Sequence, residues 1–112
     1  MSVVSLQVGQ CGNQLGSCLF STLWSESGSA EAKDVYFRSS MGGTPVARCV
    51  LVDTEPRVIS AAVQHARATG AWRYSSAGSC CHQSGAANNW AFGYYSHGAA
   101  MWESVEERVR RH

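Results

Sequence analysis

The run Val46-Ala47-Arg48-Cys49-Val50-Leu51-Val52 constrains the fold more than any other segment. A strand with one wet face alternates apolar and polar residues. A nearly continuous apolar run suits a strand covered on both faces, as in a parallel sheet. Asp53-Thr54-Glu55-Pro56 closes it, and Pro56 suits a first helical position. Val58, Ile59, Ala62, Val63 and Ala66 then recur at helical spacing up to Gly70, a natural C-terminal stop.

The same succession recurs on either side. Val3–Val8 reads as a strand ending at Gly9. A helix follows from about Gly12 to Ser25, with Leu15, Cys18, Leu19, Thr22 and Leu23 predicted as its buried face. Residues 26–44 hold scattered Ser, Gly and charge and read as a surface loop. Trp72 and Tyr74 are expected to pack beside the second helix. Ser79–Gln83 is a weaker third strand, followed by the small-residue loop Ser84–Trp90 and a linker through Gly98. From Ala99 a third helix carries Trp102, Val105 and Val109 as its apolar positions. Strand and helix alternating three times predict an α/β fold with parallel strands, in one domain over residues 1–112.

Composition narrows the function classes. Nine Lys+Arg against eight Asp+Glu leave a net charge of +1, with no basic excess for nucleic acid or an anionic membrane surface. No apolar run approaches the roughly 18 residues that cross a bilayer, and Met1–Gln10 lacks the features of a secretory signal. A cytosolic protein without a membrane partner is expected. Five cysteines, an odd number without a disulfide framework, agree with reduced thiols. His65, His82, His97 and His112 have no Ser or Cys at a triad spacing and read as surface or structural residues.

Ligands of open parallel sheets bind beyond the carboxyl ends of the strands. Three segments fall there. Gly9-Gln10-Cys11-Gly12-Asn13-Gln14 joins a strand to a helix N-terminus, where backbone N–H groups and the helix dipole favour phosphate. It matches neither G-x-G-x-x-G nor the Walker pattern, and a plain tight turn explains it equally well. Asp53 and Glu55 suit a ribose hydroxyl or the waters of a Mg²⁺, or simply the cap of the second helix. Gly85-Ala86-Ala87-Asn88-Asn89 permits close backbone approach to a ligand, or forms an Asn-rich turn. At three successive strand ends they outline one wall of a nucleotide pocket.

These segments resemble the tubulins: G-Q-C-G-N-Q at residues 9–14, V-L-V-D-x-E-P at 50–56, and S-G-A-A-N-N-W-A at 84–91. Within that family Pro45-Val46-Ala47-Arg48, Gly70-Ala71-Trp72-Arg73-Tyr74 and Gly93-Tyr94 look most like the delta branch. The resemblance implies a Rossmann-like GTP-binding domain. It implies that Gln10, Cys11 and Gln14 contact guanine nucleotide, and that Asp53 and Glu55 lie by Mg²⁺ and the terminal phosphate. It implies that Gly85, Ala86, Ala87 and Asn88 line the phosphate side. Arg57 departs from the glycine usual at its place in alpha and beta chains, and it crowds or charges the edge of that loop. Implied partners are other tubulin subunits and microtubules. The implied location is the cytoplasm and cytoskeleton, at the centriole or basal body.

The family's G-G-G-T-G-S-G phosphate loop is absent from these 112 residues. The chain is therefore expected to be the start of a longer domain and to lack GTPase activity alone. The family's sheet implies that strand Val3–Val8 is left as an open edge, with marginal stability or aggregation. The competing expectation is an interaction fragment that binds no GTP and pairs its open edge with other chains. A redox dinucleotide-binding domain is disfavoured by the missing G-x-G-x-x-G.

Overall fold

The computed structural model describes residues 1–81 and 99–112. In chain order the elements are β1 (Ser5–Val8), α1 (Gly9–Glu26), α2 (Ala30–Tyr36), β2 (Phe37–Arg38), β3 (Val46–Ala47), β4 (Cys49–Asp53), α3 (Pro56–Thr69), β5 (Ser79–Cys81) and α4 (Ala99–Arg110). Strands β1, β4 and β5 form a parallel sheet in the order β1-β4-β5, with Gln7 opposite Leu51 and Asp53 opposite Cys81. The expected α/β architecture is present.

Strand β4 is buried along its whole length, as its unbroken apolar run requires. Cys49 and Leu51 face one core with Phe20, Ile59, Ala62, Ala66, Trp72 and Tyr74. Val50 and Val52 face the other, with Cys80 and Met101. Helices α1 and α3 therefore cover one face of the sheet and α4 the other. The continuous run Val46–Val52 is nonetheless two strands. Val46–Ala47 pairs antiparallel with β2, and the Arg48 N–H donates to the Tyr36 carbonyl at 2.7 Å, so the chain changes partners at Arg48.

Helix α3 begins with Pro56 in its first turn and ends at Gly70, whose φ of 71° is the left-handed conformation that glycine adopts at least cost. Trp72 and Tyr74 are buried, as expected, their ring centroids 5.0 Å apart. Two expectations fail on helix faces. Leu15, Cys18, Leu19 and Thr22 are exposed, Leu23 packs against the core as expected, and α1 otherwise buries Asn13, Gly16, Ser17 and Phe20. Trp102 is 65% exposed, because α4 meets the sheet through Met101, Val105 and Val109, and Trp102 lies one helical step around.

Residues 26–44, expected as a loop, contain α2 and β2. Ser29 caps α2 by accepting from the Ala32 N–H at 3.1 Å. Phe37 is buried edge-on against Trp24 and Phe20, and Lys33 sits 4.1 Å from the Trp24 ring centroid. Helix α2 itself buries no residue, so it remains a surface element.

Beneath α1 lies a buried polar knot. The Tyr74 hydroxyl and the Cys49 thiol both donate to Gln7 Oε1, at 3.2 Å each. Burial pushes the Cys49 thiol from 9.0 up to about 12. Burial likewise raises the Tyr74 phenol from 10.0 to about 12. Both groups are thus neutral in the fold, and at alkaline pH the unfolded chain ionises first. Stability is intact below about pH 9 and falls as pH climbs toward about 12. Urea midpoints measured from about pH 8 to about pH 11 should fall steadily above about pH 9. A flat profile refutes this account of the knot.

Candidate functional site

Gly9 turns the chain straight from β1 into α1, with a φ of 75° that a side chain would resist. No separate loop precedes the helix. The expected turn Gly9–Gln14 is its first turn and a half, and Gln10, Cys11 and Gln14 are exposed there. Asn13 ties this start to the next strand end. Its Nδ2 donates to the Gly9 carbonyl at 2.8 Å and to the Val52 carbonyl at 3.2 Å. Asn13 is fully buried, and its Oδ1 has no partner among the described residues.

At the end of β4, Asp53 Oδ1 accepts from the Glu55 N–H at 2.9 Å, an Asx turn that fixes the carboxylate. Asp53 Oδ2 is buried and unpartnered among the described residues. Glu55 occupies the N-cap position of α3, yet its side chain makes no capping hydrogen bond. Glu55 thus stands at the positive dipole end of α3 without a hydrogen bond to it, and its carboxylate is exposed. Cys81, opposite Asp53 in the sheet, reports the local field. Burial and then the Asp53 and Glu55 charges hold its thiol above the usual range.

Gln10, Asn13, Gln14, Ser17 and Cys18 on α1 face Arg57, Val58, Ala61, Ala62 and His65 on α3 across a groove of about 450 Å³. Cys11, Asp53 and Glu55 do not line it. The structure thus brings Gln10 and Gln14 to one groove with Arg57. It sets the two carboxylates on the short turn between β4 and α3. Gly85, Ala86, Ala87 and Asn88 lie outside the described residues. Asn13 was not singled out by sequence reasoning, although its place in the G-Q-C-G-N-Q segment was a signal.

Residues 2–112 match the family model described as "Tubulin/FtsZ family, GTPase domain". The chain belongs to the tubulin family. This tubulin-family chain is 38% identical to the tubulin delta chain of Homo sapiens over 99% of its own length and 28% of the relative's. With the delta chain of Mus musculus the identity is 40% over 98% of the chain and 27% of the relative. It is also 38% identical to the tubulin beta chain of Pneumocystis carinii, over 97% of the chain and 27% of that relative. The chain thus spans little more than a quarter of the curated relatives it matches. No described helix is long and apolar enough to cross a membrane.

Proposed function

We propose that this chain is the nucleotide-facing start of a delta-like tubulin, holding GTP·Mg²⁺ at the carboxyl ends of its parallel strands. Gln10, Cys11 and Gln14 meet the nucleotide from the first turn of α1. Asp53 and Glu55 hold the Mg²⁺, and Gly85, Ala86, Ala87 and Asn88 line the phosphate side. The observation that carries this reading is Asp53, whose Oδ1 is fixed by the Glu55 N–H while its buried Oδ2 lacks a partner among the described residues. A buried carboxylate oxygen is costly unless a donor or cation meets it. Bound Mg²⁺ would supply that charge and draw together the oxygens of neighbouring phosphates. The wider proposal is a cytoskeletal role with other tubulin subunits and microtubules, in the cytoplasm at the centriole or basal body.

A thermal unfolding scan tests it. A ligand that binds only the folded chain stabilises it by about 2.7 kcal/mol at a hundred-fold excess over Kd. For a domain of this size that is on the order of 10 °C. GTP·Mg²⁺ should raise the midpoint by this order and ATP·Mg²⁺ by much less. Glu55→Ala should remove the Mg²⁺-dependent part. A midpoint indifferent to GTP·Mg²⁺ overturns the reading for this chain.

A second reading has its own support. Strand β1 is an edge of the described sheet, and Leu6 and Val8 on it are 52% and 61% exposed. Such an edge favours pairing with another chain. Association without nucleotide would appear as concentration-dependent light scattering that GTP does not change.

A further inference from the structure

We propose that the groove between α1 and α3 is an anion site in which Arg57 takes a phosphoryl group of the ligand, with the Gln10 and Gln14 amides beside it. The assignment deepens the nucleotide reading above and rests on it for the identity of the ligand. Arg57 and these two glutamines line the same groove. The groove's charge has one sign: no carboxylate lines it among the described residues, and His65 stands farther along α3.

Among the described residues Arg57 has no protein anion to satisfy it. It forms no ion pair among the described residues, whose salt bridges join Arg110 to Glu106 and Arg111 to Glu107. Residues 82–98 contain neither Asp nor Glu, so that segment has no side-chain carboxylate to offer. Glu55 is two residues away in sequence but is not paired with it.

Two further features point to a ligand. Helices α1 and α3 both start at the carboxyl ends of parallel strands, so both positive dipole ends flank the end of the groove that holds Gln10 and Arg57. Asn13, on the groove wall and fully buried, keeps an Oδ1 unpartnered among the described residues. An acceptor left unmatched in a protein interior calls for a donor. The matching ligand therefore carries a phosphoryl group, which a nucleotide and inorganic pyrophosphate both present.

The test is isothermal titration of the full chain with GTP·Mg²⁺ and, separately, with inorganic pyrophosphate at fixed salt. The proteins are the wild type, Arg57→Ala, Arg57→Lys and, as a remote control, Arg110→Ala. Losing one charge-assisted contact should weaken GTP binding about ten-fold or more in Arg57→Ala. Arg57→Lys should recover part of the loss, and Arg110→Ala should bind as the wild type does. GTP binding equal in wild type and Arg57→Ala overturns the Arg57 assignment and leaves the nucleotide reading standing. Equal losses in Arg57→Ala and Arg110→Ala overturn it as a general charge effect. Arg57-dependent binding of pyrophosphate without binding of GTP keeps the anion site and removes the nucleotide. Binding of neither probe to the wild type overturns both.

Discussion

Gly16→Ala should destabilise the chain by about 2–4 kcal/mol, combining overpacking with disrupted buried hydrogen bonds. A Cβ at Gly16 would overlap the Gln7 side chain outright. A long side chain normally swings away from such a clash, but Gln7 has no free path. It is 3% exposed, and its Oε1 holds the Tyr74 hydroxyl and the Cys49 thiol. Moving Gln7 strands both donors inside the core; moving α1 opens the core around Phe20. Urea denaturation of a double-mutant cycle separates these causes. Gln7→Ala alone should destabilise, by leaving Tyr74 and Cys49 unsatisfied. In the Gln7→Ala background the added methyl enters vacated space, so Gly16→Ala should then cost little. Equal costs of Gly16→Ala in the two backgrounds would falsify the clash as the cause. The close approach also bears on function, because α1 carries Gln10, Cys11 and Gln14 in its first turns.

The same approach explains why one helix face was misread. Periodicity assigns the inward face to whichever stripe is most apolar, which here holds the exposed Leu15 and Leu19 as well as Leu23. Helix α1 instead turns Asn13, Gly16, Ser17 and Phe20 to the sheet, and at Gly16 a side chain would overlap Gln7 beneath it. Gln7 carries no sequence mark of this, being a polar residue in a short strand. Strand β4 was legible because both its faces are covered, and α3 because Pro56 and Gly70 bound it chemically. Helix α2 was hidden by its shortness and exposure: it is held by the Ser29 cap and by Lys33 over Trp24 of α1, and leaves no long apolar period. At the candidate site the residue types of Asp53 and Glu55 were legible. The lock between them, one Asx turn with an oxygen left over, needed coordinates.

Phe20→Ala should cost about 3–5 kcal/mol, whereas Leu19→Gln, one residue away, should change stability by no more than about 0.5 kcal/mol. Phe20 is wholly buried, with Phe37 and Trp72 ring centroids at 5.6 and 5.8 Å. Its removal opens a cavity where α1, β2 and the chain after α3 converge, and aromatic packing beyond simple burial is lost with it. Leu19 is 51% exposed. If periodicity had identified the buried face, the ranking would reverse, so one pair of urea titrations decides between the two helix orientations. The loss at Phe20 approaches the whole stability of a typical domain, about 5–15 kcal/mol. An edge at β1 and apolar exposure at Leu15 leave this chain little to spare. Phe20→Ala should therefore lose its cooperative transition, and with it any GTP-dependent rise in midpoint. Leu19→Gln should retain both, although each substitution lies well beyond the first turn of α1. Cooperative unfolding of Phe20→Ala at a near wild-type midpoint would show that Phe20 does not anchor the helix.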